Sequence, residues 1–202
     1  MIEGRNLNDS QLQKIMEALP PPVIHSSHDI FHDLMSCIIE QQIHYRSSKR
    51  IFSKALEKAG ITVLSPDNFH LFEKHALADL KLSMNKYETM MGLMDYSKNN
   101  SMDFNSMKDE DIHAELSKMK GIGRWSIDMI LLYTLQRPNI FPYDDYHLKR
   151  IMTEVYKLNP RHKLKQQMLE IAEKWGDHKS LAVLYLLEWK KGKQSEENLL
   201  IR

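Results

Sequence analysis

The sequence predicts an all-α protein of about ten helices, and three observations support that fold class. Its 202 residues contain only 7 glycines and 7 prolines, and β-branched residues rarely form runs. Apolar residues recur at intervals of three and four along most of the chain, which is the spacing of one helix face. No segment carries a convincing strand pattern, so every element is predicted to be helical.

The first helices are bounded by capping and breaking residues. Residues 8–18 open with several possible N-caps, and the three prolines at 20–22 end that helix. The next helix follows a serine cap and runs to about residue 42, with a broad apolar face suited to burial. A further helix spans about 44–59 and is closed by Gly60.

The remaining helices follow from the same apolar spacing and from further turn residues. They are expected at about 66–72, 77–80, 84–98, 109–117, from 124, from 146, at 161–175 and at 181–187.

Composition narrows the class of protein. Hydrophobic residues make up 42% and charged residues 27%, as in ordinary soluble proteins, and one domain over residues 1–202 is expected. The formal net charge is only +1, which still allows a local basic face. Cys37 is the one cysteine, so an internal disulfide and a four-cysteine iron–sulfur cluster are excluded. No signal peptide or membrane-spanning apolar run is present, so a cytoplasmic location is expected.

The stretch from residue 116 to 148 organises the chain. Gly121 and Gly123 flank one apolar residue, which permits positive φ and close approach to a ligand. A helix then begins at Arg124, and its N-terminal N–H groups form a potential anion site. Downstream, a loop with two prolines delivers Asp144 and Asp145 to the start of another helix.

Four segments of the chain resemble motifs of the helix-hairpin-helix DNA glycosylases and occur in the same order along the chain. The hairpin reads GIGRWS at 121–126, and the acidic end of the following loop reads DDY at 144–146. IEQQI at 39–43 is similar to the family's segment near its minor-groove wedge, and the residues from 175 to 189 are similar to its closing helix. The most similar branch is the alkyl-base glycosylases of the DNA-3-methyladenine glycosylase II type. The resemblance covers roughly residues 28–190.

This resemblance implies a two-lobed helical fold with the active cleft between the lobes. Residues 28–110 would form one lobe, and residues 111–202 would form the helix-hairpin-helix lobe, to which residues 1–27 could belong. An N-terminal β domain, found in larger members, is not expected, because the chain has no room for one.

The resemblance also implies an activity in DNA repair. A monofunctional N-glycosylase would flip alkylated bases, such as 3-methyladenine and 7-methylguanine, out of double-stranded DNA and hydrolyse the base–sugar bond, leaving an abasic site. No cofactor is expected, and neither is a membrane partner. A monomer is expected, associated with the nucleoid if the protein is bacterial.

Asp145 matches the family's catalytic aspartate. The transition state of base loss resembles an oxocarbenium ion, and a fixed carboxylate near C1′ would stabilise it or orient the attacking water. The alternative is that Asp144 and Asp145 only cap the helix, and Asp144 is the expected cap.

Trp125 stands where strand-cutting members carry a Schiff-base lysine, so lyase activity is not expected. An electron-rich indole could select a cationic alkylated base; the alternative is that Trp125 packs under the hairpin. Tyr146 is the next aromatic expected at the pocket. Met129 and His178 stand where the family often has tyrosine and tryptophan, so the pocket would be less aromatic than usual.

DNA contact is expected from the hairpin and from the wedge segment. The residues implied are Gly121, Gly123, Arg124 and Ser126 for a phosphate, and Gln42 with Gln41 for the wedge. A surface position for the glutamines is an equally good interpretation. The family also implies a possible monovalent cation on the carbonyls of Ser117, Met119 and Gly121; no other metal is required.

Several alternatives remain open. Basic residues between Lys149 and Lys165 could contact phosphates or form a solvated face. His28 and His32 have helical i, i+4 spacing, but no further ligand motif completes a metal site. Rival functions are a non-catalytic DNA-binding protein, a glycosylase for oxidised or mismatched bases, and a metal-dependent hydrolase.

Overall fold

A computed structural model describes residues 7–24, 26–40, 45–100 and 103–200. The fold is all-helical, and no strand occurs within these ranges. The predicted fold class is therefore confirmed. No helix in the same ranges combines the length and apolar character that a bilayer span requires.

The helices follow one another with short connections. In chain order they are α1 Ser10–Ala18, α2 Ile30–Glu40, α3 Tyr45–Ala59, α4 Phe69–His75, a 3₁₀ turn Leu77–Leu80, α5 Met84–Asn99, α6 Asp109–Leu116, α7 Arg124–Met129 with a π-helical turn Ile130–Thr134, α8 Tyr146–Tyr156, α9 Leu164–Ala172, a 3₁₀ turn Glu173–His178 and α10 Lys179–Leu200.

These helices form two compact units. One comprises residues 25–135, and the other comprises residues 1–24 with 136–202. The hairpin helices α6 and α7 fall with α2 to α5, because α7 and the π-helical turn pack against α2. This division lies at residue 135 and differs from the expected lobe boundary near residue 110. Which unit corresponds to which glycosylase lobe remains a prediction.

α2 is the central helix of the unit formed by residues 25–135. It packs against α3, α5, α7 and the π-helical turn. Leu34, Met35 and Ile38 on α2 are at most 1% exposed. Burial of one such side chain stabilises the fold by about 1.5–3 kcal/mol. The apolar face of α2 therefore fixes the position from which the hairpin extends.

Asp9 joins distant parts of the unit formed by residues 1–24 and 136–202. Its Oδ1 caps α1 by accepting the backbone N–H groups of Gln11 at 3.1 Å and Leu12 at 3.0 Å. Its Oδ2 accepts the hydroxyl of Tyr156 at 2.7 Å and the indole N–H of Trp175 at 2.8 Å. Asp9 is only 7% exposed, and these four hydrogen bonds offset the free-energy cost of burying its carboxylate.

The helix that begins at Arg124 does not stay α-helical. The backbone N–H of Leu135 donates to the carbonyl of Ile130 at 2.9 Å, a five-residue bond that defines a π-helical turn. Ile130, Leu131 and Leu132 in this turn are at most 1% exposed. The sequence predicted their burial correctly, but not the wider turn.

Candidate active site

The hairpin consists of α6, a tight turn and α7. The backbone N–H of Met119 donates to the carbonyl of Leu116 at 3.2 Å, and that of Ile122 donates to the carbonyl of Met119 at 3.1 Å. Ile122 is 5% exposed and packs inward between the two glycines. The two exposed glycines are thereby left at the surface on either side of a buried anchor.

Gly121 and Gly123 have different roles. Gly121 adopts φ +89°, and a Cβ placed there would lie 2.1 Å from Oγ1 of Thr89 on α5. Gly123 is the N-cap of α7 with φ −97° and ψ 173°, an extended conformation that any residue can adopt. Positive φ, expected from both glycines, is thus required at Gly121 only.

α7 carries several residues that were predicted to contact a phosphate or the base. Arg124 is about half-exposed, and its Nε lies 3.6 Å from Oδ2 of Asp128. Trp125 and Met129 are half-buried, whereas Ser126 is only 1% exposed. The hydroxyl of Ser126 therefore faces the interior, so a phosphate contact at this position would use its backbone.

Asp128 is a residue that the sequence analysis missed. It is 2% exposed, and its Oδ1 lies 3.0 Å from Nε2 of His113 on α6. One buried carboxylate thus faces a basic side chain from each helix of the hairpin, His113 and Arg124. Its i, i+4 spacing from Arg124 was the available sequence signal.

Asp145 is the N-cap of α8. Its Oδ1 accepts the backbone N–H of Leu148 at 2.7 Å, and its own N–H donates to the carbonyl of Pro142 at 2.9 Å. The residue is 8% exposed. The expectation that Asp144 would be the cap is wrong: Asp144 is exposed and lies 3.4 Å from Nζ of Lys149. Asp145 is the residue at which the backbone turns from the extended loop into α8, so its carboxylate reaches the third helical N–H.

Ser180 fixes the start of the loop that leads to Asp145. Its hydroxyl donates to the carbonyl of Arg137 at 2.5 Å and accepts the backbone N–H of Ile140 at 2.8 Å. Its backbone N–H donates to the carbonyl of Pro138 at 3.1 Å. The loop is therefore held by one buried side chain on α10, which the sequence marked only as part of the closing-helix resemblance.

Two further predicted pocket residues lie in the same unit as Asp145. Tyr146 is 64% exposed, and its ring packs edge-on against His147 at 5.4 Å between centroids. His178 is exposed at the end of the 3₁₀ turn. Their roles in base binding remain predictions, as do those of Trp125 and Met129.

The wedge glutamines and the cation site remain untested. Gln41 and Gln42 lie outside the described residues. Of the carbonyls named for a monovalent cation, that of Met119 accepts a turn hydrogen bond, and those of Ser117 and Gly121 belong to the same turn region. Cation binding at the hairpin stays a prediction from resemblance.

The histidine pair lacks the geometry of a metal site. His28 precedes α2 and adopts φ +56°, so it does not share a helix face with His32. Nδ1 of His32 accepts the backbone N–H of Leu64 at 3.0 Å. Burial lowers the pKa of His32, although Asp33 and Asp29 act in the opposite direction. Within the described ranges, no group of three histidine, cysteine or acidic side chains could hold a metal.

Several sequence relatives are named DNA-3-methyladenine glycosylases. No protein-family profile matches the chain. A Bacillus subtilis protein, YfjP, provisionally named a DNA-3-methyladenine glycosylase, is 29% identical over 168 residues, or 79% of this chain. That match spans 58% of the relative's own length. DNA-3-methyladenine glycosylase 1 of Schizosaccharomyces pombe is 21% identical across the whole chain and 89% of its own length.

Solved structures share the fold. A Bacillus halodurans DNA-3-methyladenine glycosidase superposes with a TM-score of 0.70 at 24% identity, covering 96% of this chain and 93% of its own. The Schizosaccharomyces pombe 3-methyladenine DNA glycosylase Mag1, in complex with abasic DNA, gives a TM-score of 0.75 at 19% identity and covers 92% of both chains. Sequence and fold together therefore confirm the resemblance of this chain to the helix-hairpin-helix alkyl-base glycosylases.

Proposed function

We propose that the protein is a DNA glycosylase of base-excision repair that removes alkylated bases, such as 3-methyladenine and 7-methylguanine, from double-stranded DNA. The observation that carries this proposal is Asp145, a buried carboxylate held in one orientation at the N-terminus of α8. It follows a hairpin turn with the GIGRWS sequence in a fold shared with solved alkyl-base glycosylases.

Asp145 would act on the sugar of the flipped nucleotide. The bond between C1′ and the base nitrogen breaks, and its electron pair leaves with the base. Positive charge then develops on C1′ and the ring oxygen, and a fixed carboxylate lowers the energy of that cation. Water adds its oxygen to C1′ and loses a proton, for which Asp145 is the proposed acceptor. Because Oδ1 of Asp145 accepts the N–H of Leu148, the carboxylate would already be oriented when the nucleotide binds.

We further propose that the protein does not cut the strand. Trp125 occupies the position where a Schiff-base lysine would be needed. Lysines near the turn are engaged elsewhere: Lys120 lies 3.0 Å from Glu88 on α5, and Lys118 lies 2.5 Å from Glu115. Neither lies in the first turn of α7, so hydrolysis by water is the favoured route.

Preference for alkylated bases would come from Trp125. A ring-alkylated base in DNA is cationic and already a good leaving group. An aromatic face can select it by cation–π attraction, which is worth about 2 kcal/mol when desolvated. Trp125 is half-buried, which leaves part of its indole accessible.

The test is release of free bases from methylated duplex DNA, measured with and without chelator. Wild type should release 3-methyladenine and leave abasic strands uncut. Asp145→Asn keeps an oxygen that can accept the Leu148 N–H but loses the charge, so release should fall on the order of 10²-fold or more. Asp144→Asn is the matched control, because its carboxylate is exposed, and it should stay near wild type.

Comparable release by Asp145→Asn and wild type would contradict the proposed catalyst. No release by wild type, with DNA binding intact, would favour a non-catalytic DNA-binding protein. Release that requires a metal, and stops with chelator, would favour a metal-dependent hydrolase.

A further inference from the structure

Two tyrosines flank the acidic pair, and each carries a cation on its ring. Nζ of Lys165, on α9, lies 3.9 Å from the ring centroid of Tyr143. The guanidinium carbon of Arg150, on α8, lies 5.7 Å from the ring centroid of Tyr146. Because Tyr143 and Tyr146 stand on either side of Asp145 in the chain, the two cations come from different helices to the two ends of one acidic turn.

Among the residues that the structure describes, no acidic side chain neutralises these two cations. Arg150 and Lys165 are exposed, and neither forms an ion pair with any residue that the structure describes. Nearby basic residues differ in this respect, since Lys149 lies 3.4 Å from Asp144 and Lys190 lies 3.0 Å from Glu154. Positive charge is therefore left over at the acidic turn in a chain whose net charge is only +1.

The ring contacts also order the cations. A lysine or arginine resting on an aromatic face gains about 0.5–1 kcal/mol at an exposed site. Such a contact reduces the number of rotamers that the long side chain samples before it meets a ligand. Exposed, unpaired and preordered cations beside aromatic rings are features that bind a nucleic-acid backbone.

We propose that Tyr143, Tyr146, Arg150 and Lys165 form a DNA-binding surface, in which Arg150 and Lys165 contact phosphates on the two sides of the nucleotide attacked at Asp145. A carboxylate next to a polyanion repels it, and two flanking cations offset that repulsion. The position of the attacked nucleotide rests on the proposed function. The phosphate contacts themselves can be tested without it.

The experiment measures the affinity of the full chain for a duplex containing an abasic-site analogue over a range of salt concentrations. Each phosphate contact that is lost should reduce the slope of log K against log salt by about 0.9. Arg150→Gln and Lys165→Gln should each show that reduction, and the double variant should show about 1.8. Lys14→Gln is the matched control, because Lys14 is an exposed lysine on α1 in the same unit, and it should keep the wild-type slope.

Charge-preserving variants separate phosphate contact from a structural role. Arg150→Lys and Lys165→Arg should keep the wild-type slope, because the cation remains. Wild-type slopes in both glutamine variants would overturn the proposal, and so would an equal reduction in Lys14→Gln. Thermal unfolding of each variant confirms that it is folded.

The outcomes distinguish this surface from the proposed function. Reduced slopes with no base release by wild type would support the surface and contradict the glycosylase. Base release with unchanged slopes would support the glycosylase and overturn the surface.

Discussion

Asp145 is the N-cap of α8 and also the residue proposed to act on the sugar. The sequence left capping and catalysis as alternatives, but a hydrogen bond from the N–H of Leu148 to Oδ1 does not exclude a second role for the carboxylate. The bond to Leu148 fixes the orientation of the carboxyl group, which is what electrostatic stabilisation of a cation requires. Capping of α8 by Asp145 and the proposed catalytic role of its carboxylate are therefore compatible.

Gly121 should tolerate substitution much less than Gly123. Alanine at 121 must adopt φ +89° and bring its Cβ against Thr89, and the left-handed backbone alone costs about 1–2 kcal/mol. Alanine at 123 meets nothing within 4 Å, and replacing this N-cap should cost less than about 1 kcal/mol. Urea unfolding of Gly121→Ala and Gly123→Ala measures both. Equal losses of unfolding free energy would show that the turn does not depend on Gly121 as described.

Trp125→Ala should reduce the selection of cationic bases. Loss of cation–π attraction should lower kcat/KM for 3-methyladenine roughly tenfold, with a smaller effect on a neutral base such as hypoxanthine. Affinity for undamaged duplex should change little. Trp125→Phe is the control, because it keeps an aromatic face. Equal losses on both bases and on DNA binding would assign Trp125 to packing under the hairpin.

At the scale of helices, positions are fixed by a few polar side chains that reach between elements. Ser180 on α10 holds the loop before Asp145 through three hydrogen bonds. Asp128 on α7 faces His113 on α6, which ties the two helices of the hairpin. These contacts act on the elements that carry the candidate site, so their loss would change the geometry of the site without touching its surface.

Tyr156 should make the fold sensitive to alkaline pH. Burial, followed by the hydrogen bond to Asp9, raises the pKa of Tyr156 well above its ordinary value of 10.0. The unfolded chain therefore loses this proton first, and stability that is fully present below pH 10 is lost as pH rises further. In urea unfolding between about pH 9 and 11, Tyr156→Phe should lose less stability with pH than wild type does.

Tyr156→Phe should also be less stable than wild type at neutral pH, by about 1 kcal/mol, because it no longer donates to Asp9. An identical pH dependence in the two proteins would show that Tyr156 is not the group that titrates. Tyr96→Phe measures the contribution of a second tyrosine: burial and the bond to Glu115 raise the pKa of Tyr96 to about 12, so this variant should also lose less stability with rising pH than wild type.

Across the whole molecule, the sequence predicted the features that depend on residues close together in the chain. The helix spacing gave the all-α class, and the glycine turn and acidic loop gave the starts of α7 and α8 within one residue. These features follow from capping, breaking and apolar periodicity, which act over a few residues. α9 was expected to start at about 161. It begins at Leu164 instead, because Lys163 adopts φ +43° before the helix.

Contacts between distant residues could not be predicted in the same way. Asp9 meets Tyr156 and Trp175 across 147 and 166 positions, and no local pattern records such a pair. The division of the chain at residue 135 likewise depends on which helices pack against α2. A single sequence indicates which residues will be buried, but it does not show which distant residues they will contact.

The carboxylate of Asp9 has a practical consequence for anyone who shortens or tags this protein. A cut between Asp9 and α1 would leave the tyrosine hydroxyl of α8 and the indole of Trp175 without their common acceptor, although both lie near the other end of the chain. Loss of Asp9 near the N-terminus would thus weaken the packing of Tyr156 and Trp175 in the C-terminal half. An expression boundary should be set upstream of Leu7, whose carbonyl accepts the N–H of Asp9 at 2.7 Å.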